Sequence, residues 1–219
     1  MRVRGYILPV RKLVFGALAS VPLSLLGSGA CGGSLDIIGA DAQADVQPGG
    51  SRIDGPISVA GPCEITIDAP AYLPALHVAI GTHVDYDSNP PSSGPHYPVW
   101  AAYQTWPTPL QREYYVHDME HGAVVLLYKC DAAAGGCASV AAGLEAVRAA
   151  LPDDPICDKT VRVRVVITPD PLLDVPVAAA AWGWTYKAKC LDVPSLTQFA
   201  KDHYGQGPEQ ICANGATSL

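Results

Sequence analysis

Charge is scarce in this chain. Only 16% of its 219 residues are Asp, Glu, Lys or Arg, with 14 basic against 21 acidic residues. Four of the basic residues, Arg2, Arg4, Arg11 and Lys12, stand before the first acid, Asp36, and the rest form no Lys/Arg cluster. An acidic body without a basic patch excludes nucleic acid as a natural partner. No apolar run reaches the roughly 20 residues of a membrane-spanning helix without meeting a charge, Pro or Gly. None of the cysteine spacings is Cys-x-x-Cys, which disfavours a zinc ribbon or a thioredoxin-type redox site. The Gly205-Gln-Gly207 segment is too short for a phosphate-cradling loop, and no Gly-x-Ser-x-Gly nucleophile elbow occurs. Internal repeats are missing as well. What the composition does supply is 49% hydrophobic residues, enough to bury a core.

The first 31 residues read as an export signal. Arg2, Arg4, Arg11 and Lys12 form a positive start, an apolar run extends from Leu13 to Leu26, and Gly27-Ser28-Gly29-Ala30 precede Cys31. Small residues followed by Cys31 and Gly32-Gly33 resemble a lipoprotein cleavage site, so Cys31 is the expected mature N-terminus and lipid attachment point. The expected location is outside the cytoplasm, with the membrane as partner through that lipid; the sequence names no protein partner. Six cysteines remain: Cys63, Cys130, Cys137, Cys157, Cys190 and Cys212. An even number in an exported chain predicts three disulfides. Six cysteines allow 15 pairings, and only Cys130 with Cys137, across a short Ala/Gly loop, is singled out.

Residues 32–60 carry Gly, Ser, Asp, Pro and Gln with few large apolar groups, and predict a flexible tether. One globular domain then spans 61–219. Ala123-Val-Val-Leu-Leu-Tyr128 reads as a buried strand. Residues 138–151 place Val140, Leu144, Val147 and Leu151 on one helical face, and Pro152 stops that helix. The alternation over 161–167 predicts a strand with Arg162 and Arg164 outward. Residues 177–186 predict another strand, broken at Gly183, and 194–204 a second helix with Leu196, Phe199 and Tyr204 packing inward. The expectation is a layered α+β domain with a mainly antiparallel or mixed sheet, two principal helices and disulfide staples. Residues 86–108, rich in Pro, Ser, Gly and aromatics, predict a long ordered loop of functional character.

Five of the six histidines, His77, His83, His96, His117 and His121, fall within 45 residues; His203 lies apart. The sharpest pattern is His117-Asp-Met-Glu-His121. On a helix, positions 117, 120 and 121 share a face, and two imidazoles one turn apart can hold a borderline metal such as zinc or copper. Thr108 as cap, Pro109 in the first turn, Gln111 at the capping-box position and Gly122 at the end favour a helix. The Tyr114-Tyr115-Val116 run favours a strand, in which 117 and 121 still share a face but Glu120 points away. His96, in the adjoining Pro/Gly loop, is the natural third ligand. His-x-x-Glu-His is also the inverted zincin pattern, in which the two His bind zinc, the Glu activates water and a later acid completes the set; Glu145 and Glu209 are the later glutamates.

Several segments together resemble a bacterial exported family known only as domain of unknown function 3105. They are Asn89-Pro-Pro-Ser-Ser-Gly-Pro-His-Tyr97, Val116-His-Asp-Met-Glu-His-Gly122 leading into Val124–Tyr128, Ala179-Ala-Ala-Trp-Gly-Trp184, and the closing Phe199…His203-Tyr…Gly207-Pro-Glu209…Cys212. The resemblance covers roughly residues 70–215. It implies a polar set of His77, His96, His117, Glu120 and His121, with His83 at a variable position, and it implies no activity.

Three functions fit. The first is an exported domain binding a transition metal, zinc or copper, through His96, His117 and His121 with His77 or Glu120, Met119 being a possible soft ligand. The second is a metal-dependent hydrolase with Glu120 as general base. The third is a metal-free binding or structural module, its aromatic walls built from Trp100, Trp106, Trp182 and Trp184.

Overall fold

A computed structural model describes residues 53, 55–130 and 137–219. The leader and Cys31, and the tether up to residue 52, lie outside the described residues.

The most apolar run forms the centre. Strand β3 (Val124–Tyr128) is buried at every position, because it has neighbours on both edges and both faces. That double burial explains an unbroken hydrophobic run where a one-sided strand would alternate. Helix α2 (Cys137–Ala150) carries the chain over to β4 (Val165–Pro169), which pairs with β3 in parallel, as such a crossover permits. Strands β5 (Val177–Ala181) and β6 (Trp184–Ala188) form a hairpin. Gly183, with φ of +74°, makes the tight turn between them. Two strands come from earlier in the chain: β1 (Ile57–Val59) and β2 (Ile65–Asp68). The six-stranded sheet runs β1-β2-β6-β5-β3-β4, antiparallel except at β3–β4.

Two layers cover the sheet. On one face, Leu144 and Val147 of α2 and Leu196 and Phe199 of α3 (Val193–His203) pack against Val124, Leu126, Val165, Ile167, Ala179 and Tyr186. Each such large side chain removed from water contributes about 1.5–3 kcal/mol. On the other face, Tyr115, Val116 and Met119 of α1 (Arg112–Glu120), with Trp106 and Trp182, pack against Val125, Leu127, Val166, Ala178 and Ala180. The small alanines of β5 let this layer approach closely. All six cysteines of the domain are paired: Cys63–Cys190, Cys130–Cys137 and Cys157–Cys212.

The α+β layering, the Cys130–Cys137 pair and the two long helices match the sequence reading. A third helix is the His-bearing segment itself. Three details differ. Strand β1 lies at 57–59, inside the stretch expected to be tether. The ladder of β4 begins at Val165, so the alternation over 161–164 belongs to a bent segment ahead of the strand. Arg162 is exposed as expected, but Arg164 is buried: its Nε meets Asp154 Oδ2 at 2.9 Å, and the Tyr204 ring covers its guanidinium. A charge at that depth is tolerated because it is fully partnered.

His203 stacks on Trp184 at 4.3 Å between centroids, and burial lowers its pKa from 6.5 to about 4, with Asp202 opposing. The unfolded chain takes up this proton near 6.5 and the folded one only near 4, so the unfolded state binds more protons in between. Stability contributed here is complete above pH 7 and falls as the pH drops from 6.5 toward 4. His203→Phe keeps the stack and removes the titration. In denaturant unfolding of metal-depleted protein at pH 6.5 and 4.5, the variant should lose about 1–2 kcal/mol less than the parent, after allowance for partial exposure. Equal losses would show that His203 carries no such linkage.

Candidate metal centre

Helix α1 presents the central residues. Its sequence is polar, yet seven of its nine residues are buried, from Glu113 and Tyr115 to Glu120. It starts after Gln111, whose side chain makes no capping bond, so the expected cap at Thr108 is not used. It ends as expected at Gly122. With φ of +85° there, Gly122 N donates to Met119 O and Ala123 N to Asp118 O, the paired bonds of a left-handed helix stop.

The remaining carbonyls at that end are satisfied from afar. Glu209 N donates to Glu120 O at 3.0 Å, Gly205 N donates to Gly122 O at 2.9 Å, and Arg164 Nη1 donates to His121 O. A strap of residues 205–210 therefore lies across the helix end. Cys157–Cys212 tethers it, and contacts from Gln210 to Gly205 O and Gly207 O shape it.

The long loop brings the other ligands. His77 and His96 sit in a short parallel bridge, with His96 N donating to Leu76 O at 2.9 Å and Val78 N to His96 O at 2.8 Å. Ser93 Oγ accepts from Leu73 N, and Tyr97 N donates to Glu113 O. These bonds wrap the loop around α1 and bury His96 completely.

Three imidazole rings converge. His77, His96 and His117 have centroids 4.7–5.1 Å apart. Ligand atoms from these three and from Glu120 all lie within 4.8 Å of one another. Two of the rings are oriented from behind: His96 Nδ1 is 2.8 Å from Gly94 O, and His117 Nδ1 is 2.7 Å from Tyr97 O. A carbonyl only accepts, so each Nδ1 carries the proton and each Nε2 offers a lone pair to the cluster. His96 Nε2 lies 2.9 Å from Glu120 Oε2 but makes no well-directed hydrogen bond. A lone pair facing a carboxylate oxygen is repulsive unless a proton or a metal ion stands between them.

Burial, and then the neighbouring His96 and His121, bring the His117 pKa down to about 3. Burial likewise brings His121 down to about 4, against the pull of Glu120. Burial pushes the Glu120 pKa up, but contact with His96 and the fields of His96, His117 and His121 hold it below the ordinary value. Burial thus favours neutral His117 and His121 beside an ionised Glu120, the protonation states that ligate metals.

His121 joins at the edge. Its Nε2 lies 3.2 Å from His117 Nε2 and 3.2 Å from Glu209 Oε2. Trp100 covers both rings, its centroid 4.7 Å from His121 and 5.2 Å from His117. Of the other aromatics, Trp182 edges His96, Trp106 is core, and Trp184 stacks on His203. His83 is exposed beside Asp85 and stays outside, and Met119 points into the core. Glu209 was legible as a downstream acid and within the closing Gly207-Pro-Glu209 segment of the family resemblance, but not as a member of the ligand set. A cleft of about 610 Å³ opens at the other end of α1, but its charged residues are engaged, Arg112 with Asp170 and Asn89 and Glu113 with Val84 N.

Gly207 fixes the strap's approach: a Cβ there would run into the backbone of Met119, Glu120 and Gly122. Gly207→Ala should lower stability by about 1–3 kcal/mol and speed amide exchange at Glu209. Gly61→Ala, with open space around it, is the matched control and should change little. Thermal unfolding and hydrogen exchange read both. Unchanged protection at Glu209 in the Gly207 variant would show that the strap does not depend on this close approach.

No curated protein and no solved structure matches the chain. A family model matches residues 77–215, a span that opens on His77 and includes His96, His117, Glu120, His121 and Glu209. The chain belongs to the family described as a protein of unknown function, DUF3105.

Proposed function

We propose that this protein is an exported, lipid-anchored domain that binds a divalent transition metal, zinc or copper, through His77, His96, His117 and Glu120. The observation that carries the reading is the pair of buried histidines whose Nδ1 atoms are held by backbone carbonyls, which turns both Nε2 atoms toward Glu120, 2.9 Å from Oε2 for His96 and 3.9 Å for His117. Nitrogen-rich sets with one carboxylate suit zinc and copper(II). Glu120 stands at ligand distance from His96, which favours it as a donor over a base acting through water.

Export is supported by three disulfides, which persist in oxidising compartments, and by the leader read in the sequence. Among the described residues no helix is long and apolar enough to cross a membrane, so the proposed anchor is the lipid on Cys31.

Elemental analysis of the protein taken from a membrane fraction should find zinc or copper bound at one equivalent or more. His117→Ala should weaken binding of added Zn²⁺ by more than about 100-fold while leaving the unfolding temperature of the metal-depleted protein nearly unchanged. Full-strength binding by this variant would remove His117 from the ligand set. Intact-mass measurement should place the mature N-terminus at Cys31 with added lipid mass; a soluble product starting elsewhere would sink the anchor.

A further inference from the structure

We propose that the centre takes two cations rather than one, the second held by His121, Glu209 and a bridging Glu120. The inference rests on the metal reading above and extends it.

Six donor side chains meet here, more than one four-coordinate ion uses. They divide into two groups. His77, His96, His117 and Glu120 form one, and Glu120, His121 and Glu209 form the other, with ligand atoms within 4.8 Å of one another in each. Only Glu120 belongs to both. A carboxylate has two oxygens, and paired ions in two-metal sites stand about 3.5–4 Å apart. The 3.2 Å from His121 Nε2 to Glu209 Oε2 is close to the spacing of two donors on one tetrahedral ion, about 3.3 Å for bonds of 2.0–2.1 Å.

Charge points the same way. Glu120 and Glu209 are brought together by a backbone bond, Glu209 N to Glu120 O, although like charges repel. Among the described residues neither carboxylate forms an ion pair with a Lys or Arg; their partners are histidines. Arg164, packed behind His121, is committed to Asp154 and to the His121 carbonyl. The position of Glu209 is imposed by the strap, so the repulsion is built in and a cation is the group that relieves it.

The two positions differ in donor number. His77, exposed at one edge, completes a set of four with His96, His117 and Glu120, whereas the second set offers only Glu120, His121 and the partly exposed Glu209. The four-donor ion is therefore the resident one. The other ion has three protein donors, so it exchanges and leaves a coordination position for a small oxyanion or water. With two carboxylates and one imidazole, this second position suits a hard or borderline divalent ion such as Mn²⁺ or Zn²⁺ over the soft Cu(I).

The test is metal stoichiometry on the mature chain, stripped of metal and titrated with Co²⁺. Two ions per chain are expected, the second at least tenfold weaker. Cobalt bound at the two positions should give the magnetic coupling of a close pair. Glu209→Gln, which keeps the shape of the side chain, should bind one ion and lose the coupling. One ion in the parent, or two coupled ions in the Glu209→Gln variant, would overturn the two-cation centre while leaving the mononuclear reading intact. No bound ion in the parent would overturn both.

Discussion

The C-terminal end of α1 is the constraint on which the centre depends. A helix end leaves carbonyls without intrahelical partners, and buried ones must find donors elsewhere. Here Gly122 and Ala123 satisfy two locally, while Glu209, Gly205 and Arg164 satisfy the next three from segments far along the chain. The same bonds that complete the helix therefore bring Glu209 to His121 and fix Glu120. Arg164, the residue before β4, carries the constraint to the sheet and is held by Asp154 and Tyr204, and Cys157–Cys212 ties the strap to the same region.

Burial supplies the chemistry. Removing His117 and His121 from water keeps them neutral well below the pH at which a free imidazole is protonated. Carbonyls behind His96 and His117 then choose the tautomer, so both Nε2 atoms are turned toward the Glu120 carboxylate. Such an arrangement is costly in a metal-free protein and favourable around an ion. The loop bearing His96 tolerates this cost because its backbone is clamped to Leu76, Val78 and Glu113 and its Ser93 hydroxyl to Leu73 N. The metal would then act as a further staple between that loop and α1.

Much of the fold was legible because its signals are local. The run at 124–128, the Ala-rich face of α2, the break at Gly183 and the stop at Gly122 each follow from side-chain pattern or from the freedom of glycine at positive φ. Strands β1 and β2 were not, because short, partly exposed strands carry weak periodicity and take their definition from the partner. The type of α1 stayed open for a related reason. Sheet on one side, loop and strap on the others, bury it almost all round, so no polar face marks its period. Arg164 looked like an outward charge because alternation was carried past the ladder's true start.

By itself the sequence determined which residues can ligate a metal, that His117 and His121 lie one turn or four strand residues apart, and that six cysteines are available to pair. Residue chemistry and short-range spacing are properties of the chain alone. Tertiary structure decided the rest. It paired Cys63 with Cys190 and Cys157 with Cys212, across separations of 127 and 55 residues. It also set His77 against His96 and carried Glu209 to His121, while leaving His83 outside. Long-range contacts of this kind depend on loop paths and on distant donors for buried carbonyls. No local pattern encodes them, because the energy that selects them arises only when the whole core is closed.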